Sequence, residues 1–141
     1  MSEEMDLLLK ALENDNNECV FKLTSKQIND MKIQELSELS LSKDHMIKLL
    51  TELKDYVFIF ELPEMKPGSF VRWISLNDPS NIRLTKGAII VDILISSEGL
   101  VLKCKNYKNK FFHVNTDKVL LFRKLNNQEK ILISVSNYLN K

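Results

Sequence analysis

Glycine and proline are scarce in this 141-residue chain, three of each, and so are cysteine (two), histidine (two), arginine (three), alanine (two) and tryptophan (one). With so few glycines there is no glycine-rich phosphate loop and no GxSxG nucleophile turn. Gly68, Gly87 and Gly99 each fall at an expected turn, where a positive φ accounts for them. Cys19 and Cys104 come with no CxxC, and His45 and His113 with no HxxxH, so neither a disulfide framework nor a zinc site is expected, and buried thiols are. The longest apolar stretch, residues 88–95, is interrupted by Asp92 and falls far short of the roughly 20 residues a membrane helix needs. The acidic start MSEEMD lacks the basic and apolar regions of a secretory signal. Glu35 and Glu38, the nearest thing to a carboxylate pair, lie on a polar helix face. The expectation is an intracellular, non-enzymatic protein without cofactor or metal and without a membrane partner.

What is present is lysine (17), asparagine (13) and isoleucine (12), residues with AT-rich codons, in a chain 44% hydrophobic and 28% charged. That composition fills a core and is not that of a disordered chain. Charge is unevenly spread under the net +1. Residues 1–60 carry seven lysines against twelve carboxylates, while residues 61–141 carry thirteen cations against seven. Such asymmetry marks a face for a charged partner, or two regions that attract each other.

The first region reads as helices. Ser2 caps a helix on which Met5, Leu8, Leu9 and Leu12 form one stripe, and the run Asn14, Asp15, Asn16, Asn17 ends it. An apolar stretch, residues 18–23, leads to Thr24 and Gln27, a capping box, with Leu23 and Ile28 spaced as its hydrophobic staple. The apolar spacing then shifts near Lys32, which predicts a break there. Ser42 caps a further helix that buries Met46, Leu49, Leu50 and Leu53.

From Tyr56 the period changes to strand: residues 56–60, 69–74, 88–95, 100–105, 111–114 and 119–123, with 88–95 expected at the sheet centre. A tail helix over 128–139 places Ile131, Leu132, Val135 and Leu139 on one face. The expected fold is α+β: an acidic helical region (1–55), a small SH3-like antiparallel β-barrel (56–125) and a C-terminal helix (126–141).

Two segments could carry binding. Residues 33–54 have helix-turn-helix spacing like that of winged-helix proteins, and offer Lys43, His45 and Lys48 for DNA, though Asp44 and Glu52 intervene; an ordinary helical hairpin has the same periodicity. Residues 103–110 interleave Lys103, Lys105, Lys108 and Lys110 with Tyr107, a pattern that holds phosphates and stacks on bases, or keeps a strand edge soluble. Trp73 beside Arg72 could line a groove, or Trp73 could be core.

Three stretches also carry a resemblance: 66–79 (KPGSFVRWISLNDP), 84–91 (LTKGAIIV) and 119–124 (VLLFRK). They resemble small barrel-bearing proteins of large nucleocytoplasmic DNA viruses, with Ala88 standing where that pattern has a second glycine. The resemblance implies an SH3-like barrel and a virion-associated or minor capsid-type structural protein, with capsid or other virion proteins as partners. Nucleic acid is the alternative partner.

Overall fold

The computed structural model describes residues 24–59, 61–97 and 99–139. The expected first helix, the 18–23 stretch, Cys19 and the staple residue Leu23 lie outside them. Helix α1 (Ser25–Ser37) starts where the capping box predicts: the Thr24 hydroxyl accepts from the Gln27 amide, and the Gln27 side chain accepts from the Thr24 amide. It does not break near Lys32. Ile28, Lys32 and Leu36 recur every four residues and are all buried, so a lysine occupies the core-facing position that the apolar spacing skips. Its Nζ donates to the Leu53 carbonyl at 2.8 Å, the partner a buried ammonium requires. Burial pushes the Lys32 pKa below its ordinary value, and Asp55 opposes that shift. Helix α2 (Lys43–Glu52) begins at Ser42, whose hydroxyl accepts from the His45 amide.

Six antiparallel strands follow: β1 (Tyr56–Ile59), β2 (Phe70–Ser75), β3 (Ala88–Ser96), β4 (Gly99–Lys105), β5 (Phe111–Asn115) and β6 (Val119–Lys124). Their order is β1-β6-β2-β3-β4-β5 in one open sheet. This corrects the expected closed SH3-like barrel. Strand number and turn spacing are the same for both, but closure needs a tilt and stagger that bring the edge strands into register. Here β1 and β5 stand at opposite edges, and α1 packs against β1.

Alternation along the strands separates two apolar layers. One face holds Val57, Val71, Ile90, Leu102, Cys104, Val114 and Leu121 beneath Ile28 of α1 and Leu132 and Ile133 of α3 (Asn127–Leu139). The other holds Tyr56, Phe58, Ile74, Leu120 and Phe122 beneath Leu36, Leu49 and Leu53. Helix α1 contributes to both layers and β1 is buried throughout, so the helices and the sheet share their cores. Gly87 precedes β3 at φ +98°. A Cβ there would lie 2.6 Å from Phe70 Cζ and 2.7 Å from the Val71 carbonyl, so space as well as backbone conformation demands glycine.

Helix α3 is held differently from the expectation. Its buried positions are Glu129, Leu132, Ile133 and Ser136, while Leu139 is 74% exposed. The rotation follows from Glu129, which faces inward to meet Arg123 at the end of β6 through two 2.7 Å hydrogen bonds. Asn126, expected only to break the chain, caps the helix: its side-chain oxygen accepts from the Glu129 amide, and Glu129 accepts from the Asn126 amide.

Candidate functional site

Among the described residues, helices cover the second face over β1, β6 and β2, but not over β3, β4 and β5. The register lays three cross-strand rows across that end: Ile89, Lys105 and Phe111; Asp92, Lys103 and His113; Leu94, Val101 and Asn115. Ile89, Leu94 and Phe111 are exposed there, and Lys103 and Lys105 are half-buried. Lysine stems lying along apolar surface with their heads in water behave in this way. Asp92 is the sole carboxylate in these three strands.

Strand β3 is central in order, as its apolar run predicts, yet it outruns its neighbour. It pairs with β2 only at Phe70↔Ile89 and Val71↔Ala88, then bulges between Ile90 and Asp92. Beyond the bulge it pairs with β4, and the two form an arm on which Val91, Leu94 and Ile95 are exposed, Ile95 at 80%. The Asp92 carboxylate accepts from the Ile93 amide at 2.8 Å. A charge satisfying a backbone donor is a device that protects a strand edge from pairing with other chains.

The β4–β5 turn displays the lysine and aromatic residues singled out from the sequence. The Asn106 side-chain oxygen accepts from the Lys108 and Lys110 amides at 2.9 and 3.0 Å, and Asn109 takes φ +62°. Tyr107 is thereby exposed, with the Lys108 ammonium 5.6 Å and the Lys86 ammonium 5.7 Å from its ring centre. The Lys103 ammonium lies 5.0 Å from the Phe111 ring centre. These are cation–π distances. Lys86 had no sequence signal, because it lies in the loop before β3 and no motif spacing links it to Tyr107.

Lys103, Lys105, Tyr107 and Lys108 are thus brought together on one hairpin, with Lys110 exposed at its base. Comparison with protein-family models, curated proteins and solved structures finds no match to this chain. Arg72 and Trp73 are not part of the hairpin cluster. The Arg72 Nε donates to the Thr85 carbonyl at 2.7 Å, and its guanidinium reaches Glu52 of α2 at 3.9 Å. Trp73 packs on the covered face, 5.5 Å from the Phe112 ring. Lys43 and Lys48 are exposed on α2 and His45 is half-buried, far along the chain from the lysine hairpin, and α2 lays its Leu49 face on the sheet.

Cys104 is fully buried, and burial pushes its thiol up to about 11. Among the described residues no three His, Cys, Asp or Glu side chains gather as a metal would require. No described helix is long and apolar enough to cross a membrane.

Proposed function

We propose that this chain is a non-enzymatic intracellular protein-binding module, with the uncovered β3–β4–β5 face and its arm as the docking surface. The observation that carries this reading is the concentration of exposed aliphatic side chains there, Ile89, Val91, Leu94 and Ile95. Exposed apolar surface rimmed by polar groups marks partner sites, and aliphatic groups serve a protein partner better than a nucleic acid, which rewards cations and stacking rings. The lysines around it favour a partner surface of negative charge. The virion setting, with capsid or other virion proteins as partners, rests on the resemblance carried by residues 66–79, 84–91 and 119–124.

The test is partner capture from the native source, followed by hydrogen-exchange footprinting of the recovered complex. Slowed exchange should map to β3 and β5, and Leu94→Glu with Ile95→Glu should abolish capture. A footprint confined to the helices would refute the reading.

A second reading, an accessory protein that binds single-stranded nucleic acid, is favoured by the lysines held over Tyr107 and Phe111. Contacts from about four lysines predict a log–log salt slope near −3 for single strands. Changing Lys103, Lys105, Lys108 and Lys110 to Glu should remove the binding. No shift of an oligonucleotide at low salt eliminates this alternative.

A further inference from the structure

The sheet has two outer strands, and the helices treat them differently. Strand β1 is buried along its whole length, with α1 packed against it. Strand β5 stands at the other edge, and among the described residues β4 is its only strand neighbour. We propose that β5 accepts an extended, acidic segment of a partner protein as a further strand of the sheet. Strand addition rests on reading the β3–β4–β5 face as a protein-docking surface, and it specifies how the partner sits there.

The backbone supplies the first observation. The Asn106 amide donates to the Lys110 carbonyl at 3.0 Å, the Asn109 amide donates to the Asn106 carbonyl at 3.0 Å, and Asn109 takes φ +62°. This is the three-residue turn closed by a hydrogen-bonded pair, here 106 with 110. Bonded and non-bonded pairs alternate from that point along an antiparallel ladder. Phe112 and Val114 therefore direct their amides and carbonyls at Cys104 and Leu102, whereas Phe111, His113 and Asn115 turn theirs to the outer edge. Among the described residues no backbone group meets them there. Donors and acceptors alternating at strand spacing match another polypeptide rather than a sugar-phosphate chain.

The second observation is the lack of an edge guard. Strand β5 reads FFHVN, without a proline, lysine or carboxylate to discourage pairing. The arm of β3 differs, since Asp92 occupies the Ile93 amide there.

The third is charge. Phe111, His113 and Asn115 continue the rows of Lys105, Lys103 and Val101 on the uncovered face. The Lys103 ammonium lies 5.0 Å from the Phe111 ring centre, Lys110 is exposed where β5 begins, and neither β4 nor β5 holds a carboxylate. Carboxylates on an added strand would extend these rows with opposite charge, the arrangement that stabilises cross-strand pairs. A second copy of β5 would bring no such carboxylate.

The test uses the full chain and a labelled peptide of about ten alternating glutamate and valine residues, a length that spans the edge. Adding the peptide should slow amide exchange at Phe111, His113 and Asn115 at least tenfold, while Phe112 and Val114, already paired with β4, change little. Methylating the peptide's amide nitrogens removes its donors and keeps its charge, and should weaken binding at least tenfold. Lysine in place of glutamate should do the same. So should His113→Pro, whose nitrogen points outward and leaves the β4 ladder intact, with far-UV circular dichroism checking the fold. A peptide that fails to bind, binds equally when methylated, or binds without slowing those three amides overturns the proposal. So does slowing that appears without peptide as protein concentration rises, which would mean a second copy, or slowing by an oligonucleotide alone. Native-partner capture that survives His113→Pro but fails with Leu94→Glu and Ile95→Glu removes the added strand and leaves the docking surface standing. A footprint confined to the helices removes both.

Discussion

Removing one side of the Arg123–Glu129 pair should be among the most damaging changes to this protein, and removing both should cost far less. The two side chains are 5% and 1% exposed and share two 2.7 Å hydrogen bonds. They tie the end of β6 to the first turn of α3. Arg123→Met leaves a buried carboxylate that still accepts from the Asn126 amide at 3.1 Å, and stranding a buried charge costs about 3–5 kcal/mol. Glu129→Gln keeps the shape and one acceptor, so roughly 3 kcal/mol is expected. If the two effects were independent, the double variant would lose roughly 7 kcal/mol, much of the 5–15 kcal/mol typical of a folded domain. With both charges gone no buried ion is stranded, and a loss of roughly 2 kcal/mol is expected. Urea unfolding of the four proteins, followed by Trp73 fluorescence and circular dichroism, measures the cycle. Additivity within about 0.5 kcal/mol, or a single variant costing under about 1 kcal/mol, would refute the assignment of this pair as a coupled anchor.

Three more outcomes follow from buried or edge groups. Burial lowers the Lys32 pKa, so between that lowered value and the ordinary one near 10.4 the unfolded chain holds a proton that the folded chain has released. Stability should therefore rise with pH through that interval. Lys32→Met should flatten the rise and change stability at pH 7 by no more than about 1 kcal/mol, since the Leu53 carbonyl still accepts from the Tyr56 amide; a slope unchanged in the variant would refute the role of Lys32. Cys104, buried with its thiol raised to about 11, should resist iodoacetamide at pH 8 until urea opens the fold, as peptide mapping would read, and alkylation at the rate of a free thiol would contradict its burial. Asp92→Val should fold but aggregate by light scattering, because it uncaps the Ile93 amide and makes residues 88–95 uniformly apolar. A variant as soluble as wild type would remove Asp92 from the role of edge guard.

The local chemistry was legible in the residue order. Thr24 with Gln27 and Ser42 with the His45 amide cap their helices as their types and spacing require, and the strands begin and end within a residue or two of the expected positions. Each of these depends on neighbours three or four residues apart. The candidate surface was half legible. Lys103, Lys105, Tyr107 and Lys108 are close in sequence and meet on one hairpin, whereas Lys86 joins them across a fold contact and Arg72 and Trp73 are taken up elsewhere.

The misreadings share one cause. Lys32 is polar by type but buried by a carbonyl 21 positions away, and that contact carries α1 through the expected break. Glu129 turns α3 toward Arg123, against the apolar stripe of its own sequence. Whether six strands close or lie open depends on edge strands 55 residues apart, and on α1 packing against one of them. Residue type and spacing therefore settled helix starts, turns and strand positions, where the interacting groups are near neighbours along the chain. Sheet closure, the buried face of α3 and the exposure of the β3–β4 arm were set by contacts between distant segments, whose energies outweigh the local pattern once the chain is compact.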